Sequence, residues 1–146
     1  MSELNIFLDS SALIAGVISK NGAAYILLEL GEQAEIILTI SEMVVTESER
    51  AIAKKSPKNL KNLQETIKAV NMKVVEDPSP EEKAANLYLI DDPDDVPILL
   101  AAMKAKVDYL ATHNRKHFLD NPNVAKNSGL RIGTPGDVLA WLRERL

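Results

Sequence analysis

The chain has 146 residues, 46% hydrophobic and 26% charged, which suits one domain spanning 1–146 and excludes both disorder and two independent cores. A net charge of −4 speaks against a broad, sequence-independent grip on nucleic acid, because such grips neutralise many phosphates. There is no cysteine, so disulfides and thiolate metal sites are excluded, any metal must be held by oxygen or by the two histidines, and a reducing, cytoplasmic setting is expected.

The N-terminus has no basic region followed by an apolar stretch, and no apolar run nears the roughly 18 residues of a membrane helix, so neither export nor insertion is expected. Residues 4–8 form a short apolar run ending in Asp9-Ser10-Ser11, which reads as a buried strand followed by helix-starting residues. A helix follows over 12–17. Asn21-Gly22 marks a turn, and 24–30 is helical with Gly31 as its C-terminal stop. Residues 36–40 are apolar and β-branched, hence a second strand. Ser41 then caps a helix holding Met43, Val44, Val45, Ser48 and Ile52, with Glu47 beside that apolar stripe.

After Ser56-Pro57 an amphipathic helix runs through Leu60, Leu63 and Ile67, and 72–75 is an edge strand. Ser79, Pro80 and Glu82 have the spacing of a capping box, predicting a helix from there to about Ile90. The acidic run 91–95 precedes a helix over 96–105 that is apolar nearly all round and therefore buried. A strand is predicted over 108–112, a polar loop over 121–128, a short strand over 130–132, and a terminal helix that starts at Thr134-Pro135-Gly136-Asp137 and ends in Trp141 and Leu142. Strands alternating with helices, without tight hairpins, indicate an α/β fold: a three-layer α/β/α sandwich around a mostly parallel sheet.

In open parallel sheets, ligands bind outside the carboxyl ends of the strands. Asp9 directly follows the first strand, Glu47 is about two turns into the helix after the second, and Asp95 starts the buried helix. Carboxylates converging there repel one another unless a cation neutralises them, and hard oxygen ligands select Mg²⁺ or Mn²⁺. Phosphodiester hydrolysis is the chemistry such an ion suits. Each acid also has a simpler reading: Asp9 as an N-cap, Glu47 as an ordinary surface acid, and the 91–95 run as a solvated loop or helix-start charge. His113 and His117 lie four apart, but a histidine pair without a third ligand does not define a zinc site. Thr112 and Asn114 fall at the same end of the sheet as the acids, making Asn114 a candidate site residue. Two basic clusters, one of Lys54, Lys55, Lys58, Lys61 and Lys68 and one of Arg115, Lys116 and His117, are either solvated surface or local steering for a phosphate backbone.

Taken in order, the segments 6–13, 41–50, 92–102 and 107–118 and the closing Ile132-Gly133-Thr134-Pro135 resemble the PIN domain, a nuclease fold that includes toxins of the VapC type. The resemblance covers nearly the whole chain. It implies that Asp9, Glu47 and Asp95 bind Mg²⁺ or Mn²⁺ and cleave single-stranded RNA, with Ser10 in the same site. It also implies an antitoxin protein as partner and a homodimer. Asn114 stands where many members carry a fourth acid, so one well-held metal is expected and a second would be weakly held or absent, unless Asp92 or Asp94 supplies the charge.

Two other readings stay open. A phosphatase using Asp9 as nucleophile would usually need a second acid two places on, where this chain has Ser11. A PIN-like module that has lost its activity through Asn114 would bind RNA or protein instead. Aromatic stacking platforms are scarce, with one Trp, three Tyr and two Phe, so RNA positioning would rest on Lys and Arg.

Overall fold

The computed structural model describes residues 3–146, so the first two residues of the expected 1–146 domain lie outside it. Five strands, β1 (Asn5–Leu8), β2 (Ile37–Ser41), β3 (Lys73–Val75), β4 (Tyr109–Ala111) and β5 (Ile132–Gly133), form one sheet in the order β3-β2-β1-β4-β5. Every pairing is parallel. The central strands are almost wholly buried, which is why 6–8 reads as a continuous apolar run and 38–40 as one broken only by Thr39, whose hydroxyl donates to Asn5 Oδ1. The strand at 72–75 is an edge, as expected, and β5 is the other.

Eight helices connect and cover the sheet: α1 (Ser10–Ile18), α2 (Ala23–Glu32), α3 (Glu42–Lys55), α4 (Leu60–Val70), α5 (Pro80–Ala85), α6 (Val96–Lys104), α7 (Pro122–Ser128) and α8 (Pro135–Arg143). Helices α1, α2 and α4 pack together with α8 laid against α2, while α6 packs on β2, α5 and α7. Right-handed crossovers explain this division. The chain steps outward from β1 to β2 to β3 through one layer, then returns past β1 to β4 and β5 through the opposite layer. The strand order therefore reverses between β1 and β4, and the crevice of such a fold opens at the carboxyl ends of these two strands. Among the described residues no single helix is long and apolar enough to cross a membrane.

Three local expectations need correction, and one turn is new. Gly31 does not end its helix, because α2 continues to Glu32 and the left-handed residue is Ala34. Glycine is needed at 31 for another reason: a Cβ there would come within 2.8 Å of Leu38 Cδ1 and of Val70 Cγ1. The helix predicted from 80 to 90 stops at Ala85, where Asn86 Nδ2 donates to the Glu82 carbonyl at 2.7 Å and a 3-10 turn, Leu87–Leu89, takes over. An asparagine amide that competes for helix carbonyls favours such an ending.

The polar stretch predicted as a loop over 121–128 contains α7, with Asn121 as N-cap, Pro122 in the first turn and Gly129 left-handed beyond the end. Start and stop signals were both present, but Val124 is its only buried apolar residue, too few for a recognisable period. Finally, Arg115–Leu119 forms a π-helical turn that no periodicity announced.

Gly31→Ala provides a test of the close packing. Helix propensity alone predicts a gain of about 1 kcal/mol from this change, whereas intrusion on Leu38 and Val70 predicts a net loss of about 1–3 kcal/mol, to be read from urea denaturation midpoints.

Candidate active site

Asp9 is the N-cap of α1 and lies at the end of β1 with 5% of its surface exposed. Its Oδ1 accepts from the Ala12 amide at 2.9 Å and from the Ser11 hydroxyl at 2.7 Å, while its Oδ2 accepts a short hydrogen bond from the Thr112 hydroxyl. The capping reading and the site reading are thus both compatible with one side chain. A carboxylate has roughly four acceptor positions, so three donors leave one on Oδ2. Thr112 follows β4, and its own Oγ1 accepts from the Asn114 amide at 3.0 Å. Ser11 Oγ in turn accepts from the His113 amide at 3.0 Å, joining the start of α1 to the segment after β4.

Glu47 is half-buried on α3, and its Oε1 accepts from the Ser10 hydroxyl at 3.1 Å. This contact brings the second acid to the start of α1, beside Asp9. Asp95 is the N-cap residue of α6 but makes no side-chain capping bond, so its carboxylate is free for other work. Its Oδ2 is buried, and His117 Nδ1 lies 2.8 Å from it.

All three carboxyls are raised, chiefly by burial. Burial pushes Asp9 above the ordinary carboxylate range, against the pull of Thr112, Ser11 and the Ala12 amide. Burial also raises Glu47, and the charges of Asp95 and Asp9 raise it further, while Ser10 and Arg50 pull it down. Asp95 is raised first by burial, with Asp92 and Asp9 adding to the effect and His117 opposing it. Three acids from positions 9, 47 and 95 therefore share a poorly compensated negative site. The buried oxygens of Asp9 and Asp95 within it fit a divalent cation, and the carboxylate set suits Mg²⁺ or Mn²⁺. Closest approach, however, belongs to another trio. Among the described residues, one potential ligand atom each from Asp92, Asp95 and His117 lie within 4.8 Å of one another, a spacing that Asp9, Glu47 and Asp95 do not reach together.

Asn114 lies at the same end of the sheet, but its Oδ1 accepts from the His117 amide at 3.1 Å and so caps the π-helical turn. His117 is the residue that sequence reasoning passed over. It was grouped with Arg115 and Lys116 as a basic cluster and with His113 as a helical pair. His113 precedes the turn and is exposed, whereas His117 faces Asp92 and Asp95. Arg115 is mostly exposed and lies 3.7 Å from Asp120. A cavity of about 340 Å³ adjoins the acids, with Glu47, Arg50, Lys83 and Asp94 in its wall.

An all-parallel sheet with a strand-order reversal, and carboxylates gathered at that reversal, define an α/β protein with an acidic crevice. The chain matches the PIN-domain family over residues 5–116 and belongs to that family. A sequence search of curated proteins finds no match. Among solved structures it is similar to VapBC2 from Rickettsia felis, determined bound to a DNA fragment from its promoter, with 19% identity, a TM-score of 0.64, and coverage of 90% of this chain and 98% of that one. PAE2754 from Pyrobaculum aerophilum gives 17% identity and a TM-score of 0.62, covering 97% of each chain. FitAB bound to an IR36 DNA fragment gives 16% and 0.59, covering 89% of this chain and 94% of that one. At these identities the likeness concerns the fold.

The raised acids predict a pH dependence of the metal-free chain. A carboxyl whose folded pKa is raised adds stability that is complete below its unfolded pKa, about 4, and is lost as pH rises through the folded value. In EDTA, Asp9→Asn should therefore melt above wild type at neutral pH, with the difference shrinking as pH falls towards the ordinary carboxylate range. An Asn variant that melts lower at neutral pH would mean that the donors to charged Asp9 outweigh its burial.

Proposed function

We propose that the chain is a metal-dependent endoribonuclease that hydrolyses phosphodiester bonds of single-stranded RNA, with Asp9, Glu47 and Asp95 holding Mg²⁺ or Mn²⁺. The observation that supports this most is the convergence of three carboxyls, each raised chiefly by burial, from two opposite helical layers at the carboxyl ends of the neighbouring strands β1 and β4. Bound by Asp9, Glu47 and Asp95, a divalent cation would supply positive charge to offset that of a phosphodiester under attack and would acidify water. Water adds to phosphorus, one ester P–O bond breaks, and the leaving oxygen takes a proton.

The chain's own groups do the positioning. Thr112, Ser11 and the Ala12 amide fix Asp9, and Ser10 orients Glu47. Asn114 acts from the same strand end by holding the turn that carries His117. Arg50 and Lys83, in the wall of the adjoining cavity, are suited to the phosphates of a strand running past Glu47. Arg115 and Lys116, exposed in the turn that carries His117, are two further cations suited to phosphate. This local supply of cations suits a chain whose net charge of −4 opposes a broad grip.

In the same reading the protein is the toxin of a toxin–antitoxin pair and works in the cytoplasm. The VapC-type resemblance supports this, as does the fold similarity to proteins solved as VapBC2 and FitAB with DNA. Exposed Ile18 on α1 and Ile26 on α2 suit a homodimer interface.

RNA cleavage by the purified chain in Mg²⁺, Mn²⁺ or EDTA tests the proposal. EDTA should abolish cleavage, and Asp9→Asn, Glu47→Gln and Asp95→Asn should each reduce it by at least ~10²-fold, the scale of losing one transition-state charge partner. Cleavage that persists in EDTA would end the metal-nuclease reading. A clean preparation that binds RNA but never cuts it would favour the inactive module.

A further inference from the structure

We propose that Asp92, Asp95 and His117 form a second cation-binding triad adjoining the three acids, and that its imidazole makes it take Mn²⁺ or a similar first-row transition cation in preference to Mg²⁺. The inference rests on the nuclease reading only in that Asp95 is common to both groups. One ligand atom from each of the three residues lies within 4.8 Å of the others. His117 Nδ1 is 2.8 Å from Asp95 Oδ2 and 3.6 Å from Asp92 Oδ2. Neighbouring donors around an octahedral cation at ~2.1 Å stand ~3.0 Å apart, so these separations need little adjustment.

The donors are also fixed and available. Asp92 commits Oδ1 to the Asp94 amide at 2.9 Å, which leaves Oδ2, the atom nearer His117, without that duty. Asp95 Oδ2 is buried and has no capping duty, and His117 Nδ1, the nitrogen of the same triad, lies 2.8 Å from it. His117 is held from behind: its amide bonds to Asn114 Oδ1 and the next residue, Phe118, is anchored in the core at 3% exposure. Positions 92 and 95 are locked in one 3-10 turn, Pro93–Asp95, whose start Asp92 caps.

The triad thereby takes over the role left by Asn114. A fourth acid at 114 would have made an all-oxygen set, equally good for Mg²⁺. In its place the chain offers two carboxylates and one nitrogen, and Mg²⁺, which keeps oxygen ligands and its own waters, gains least from nitrogen. His117 lies within the π-helical turn, three positions beyond residue 114, and faces Asp92 and Asp95 from there.

Pulsed electron paramagnetic resonance of Mn²⁺ bound to the full-length chain reads the nitrogen directly. A nitrogen hyperfine coupling is expected in the wild type and absent in His117→Gln, with circular dichroism melts confirming that the variant is folded. By calorimetry, His117→Gln and Asp92→Asn should each weaken Mn²⁺ at this site by at least ~10-fold and Mg²⁺ by much less. Mn²⁺ bound without nitrogen coupling, coupling that survives in His117→Gln, equal loss of both cations, or no Mn²⁺ binding at all would each overturn the triad. The nuclease reading fails by a separate result, cleavage that resists EDTA, so the two can fall independently.

Discussion

A charged side chain buried at the reversal of the sheet is the constraint around which the rest of the site is organised. Asp9 closes β1, and the Thr112 hydroxyl, one residue past β4, donates to it across the point where the strand order turns back. The backbone continues the same junction, with the Asp9 amide bonding to the Ala111 carbonyl at 3.2 Å and the Thr112 amide to Gly133 at 2.9 Å. Burying a carboxylate is costly unless it is hydrogen-bonded, and three donors meet that requirement only in part, so its pKa stays raised. The crevice is therefore prepared for positive charge before any ligand arrives.

Two layers of helices deliver the remaining acids to that point. The outward crossovers place α3, and with it Glu47, against the start of α1. The return crossover brings in α6 from the other layer, with Asp95 at its N-terminus. Negative charge at a helix start is favoured by the dipole, which partly compensates Asp95 for the company of Asp92 and Asp9. The same peptide geometry thus serves stability and the candidate chemistry, and neither role needs to be given up for the other.

Much of this was legible in the residues, though unevenly. The strands at 4–8, 36–40 and 108–112 were readable because a strand buried on both faces is mostly apolar, with single polar residues such as Thr39 satisfied by hydrogen bonds. The starts of α3, α5 and α8 were readable because capping is a local hydrogen-bond problem solved by a few residue types, and Ser41, Ser79 and Thr134 do cap them. Gly31 misled because glycine has more than one use: the residue suggested a helix end, whereas the tertiary contact required an absent side chain. Helix α7 and the Arg115–Leu119 turn were not assigned because both are short and largely polar, and periodicity needs several buried positions to show itself.

For the candidate site, the sequence by itself determined which groups were available: acids at 9, 47 and 95, an amide at 114, and no thiol. It also placed each near a strand end or helix start, since those positions follow from local patterning. Only the tertiary structure decided what each group faces. Asp9 binds Thr112, Asn114 spends its oxygen on a backbone amide, and His117 turns from an apparent basic cluster towards Asp92 and Asp95. The direction of a side chain depends on how far the backbone has wound before reaching it, and here Asn114 caps the π-helical turn while His117, within the turn, meets the two acids.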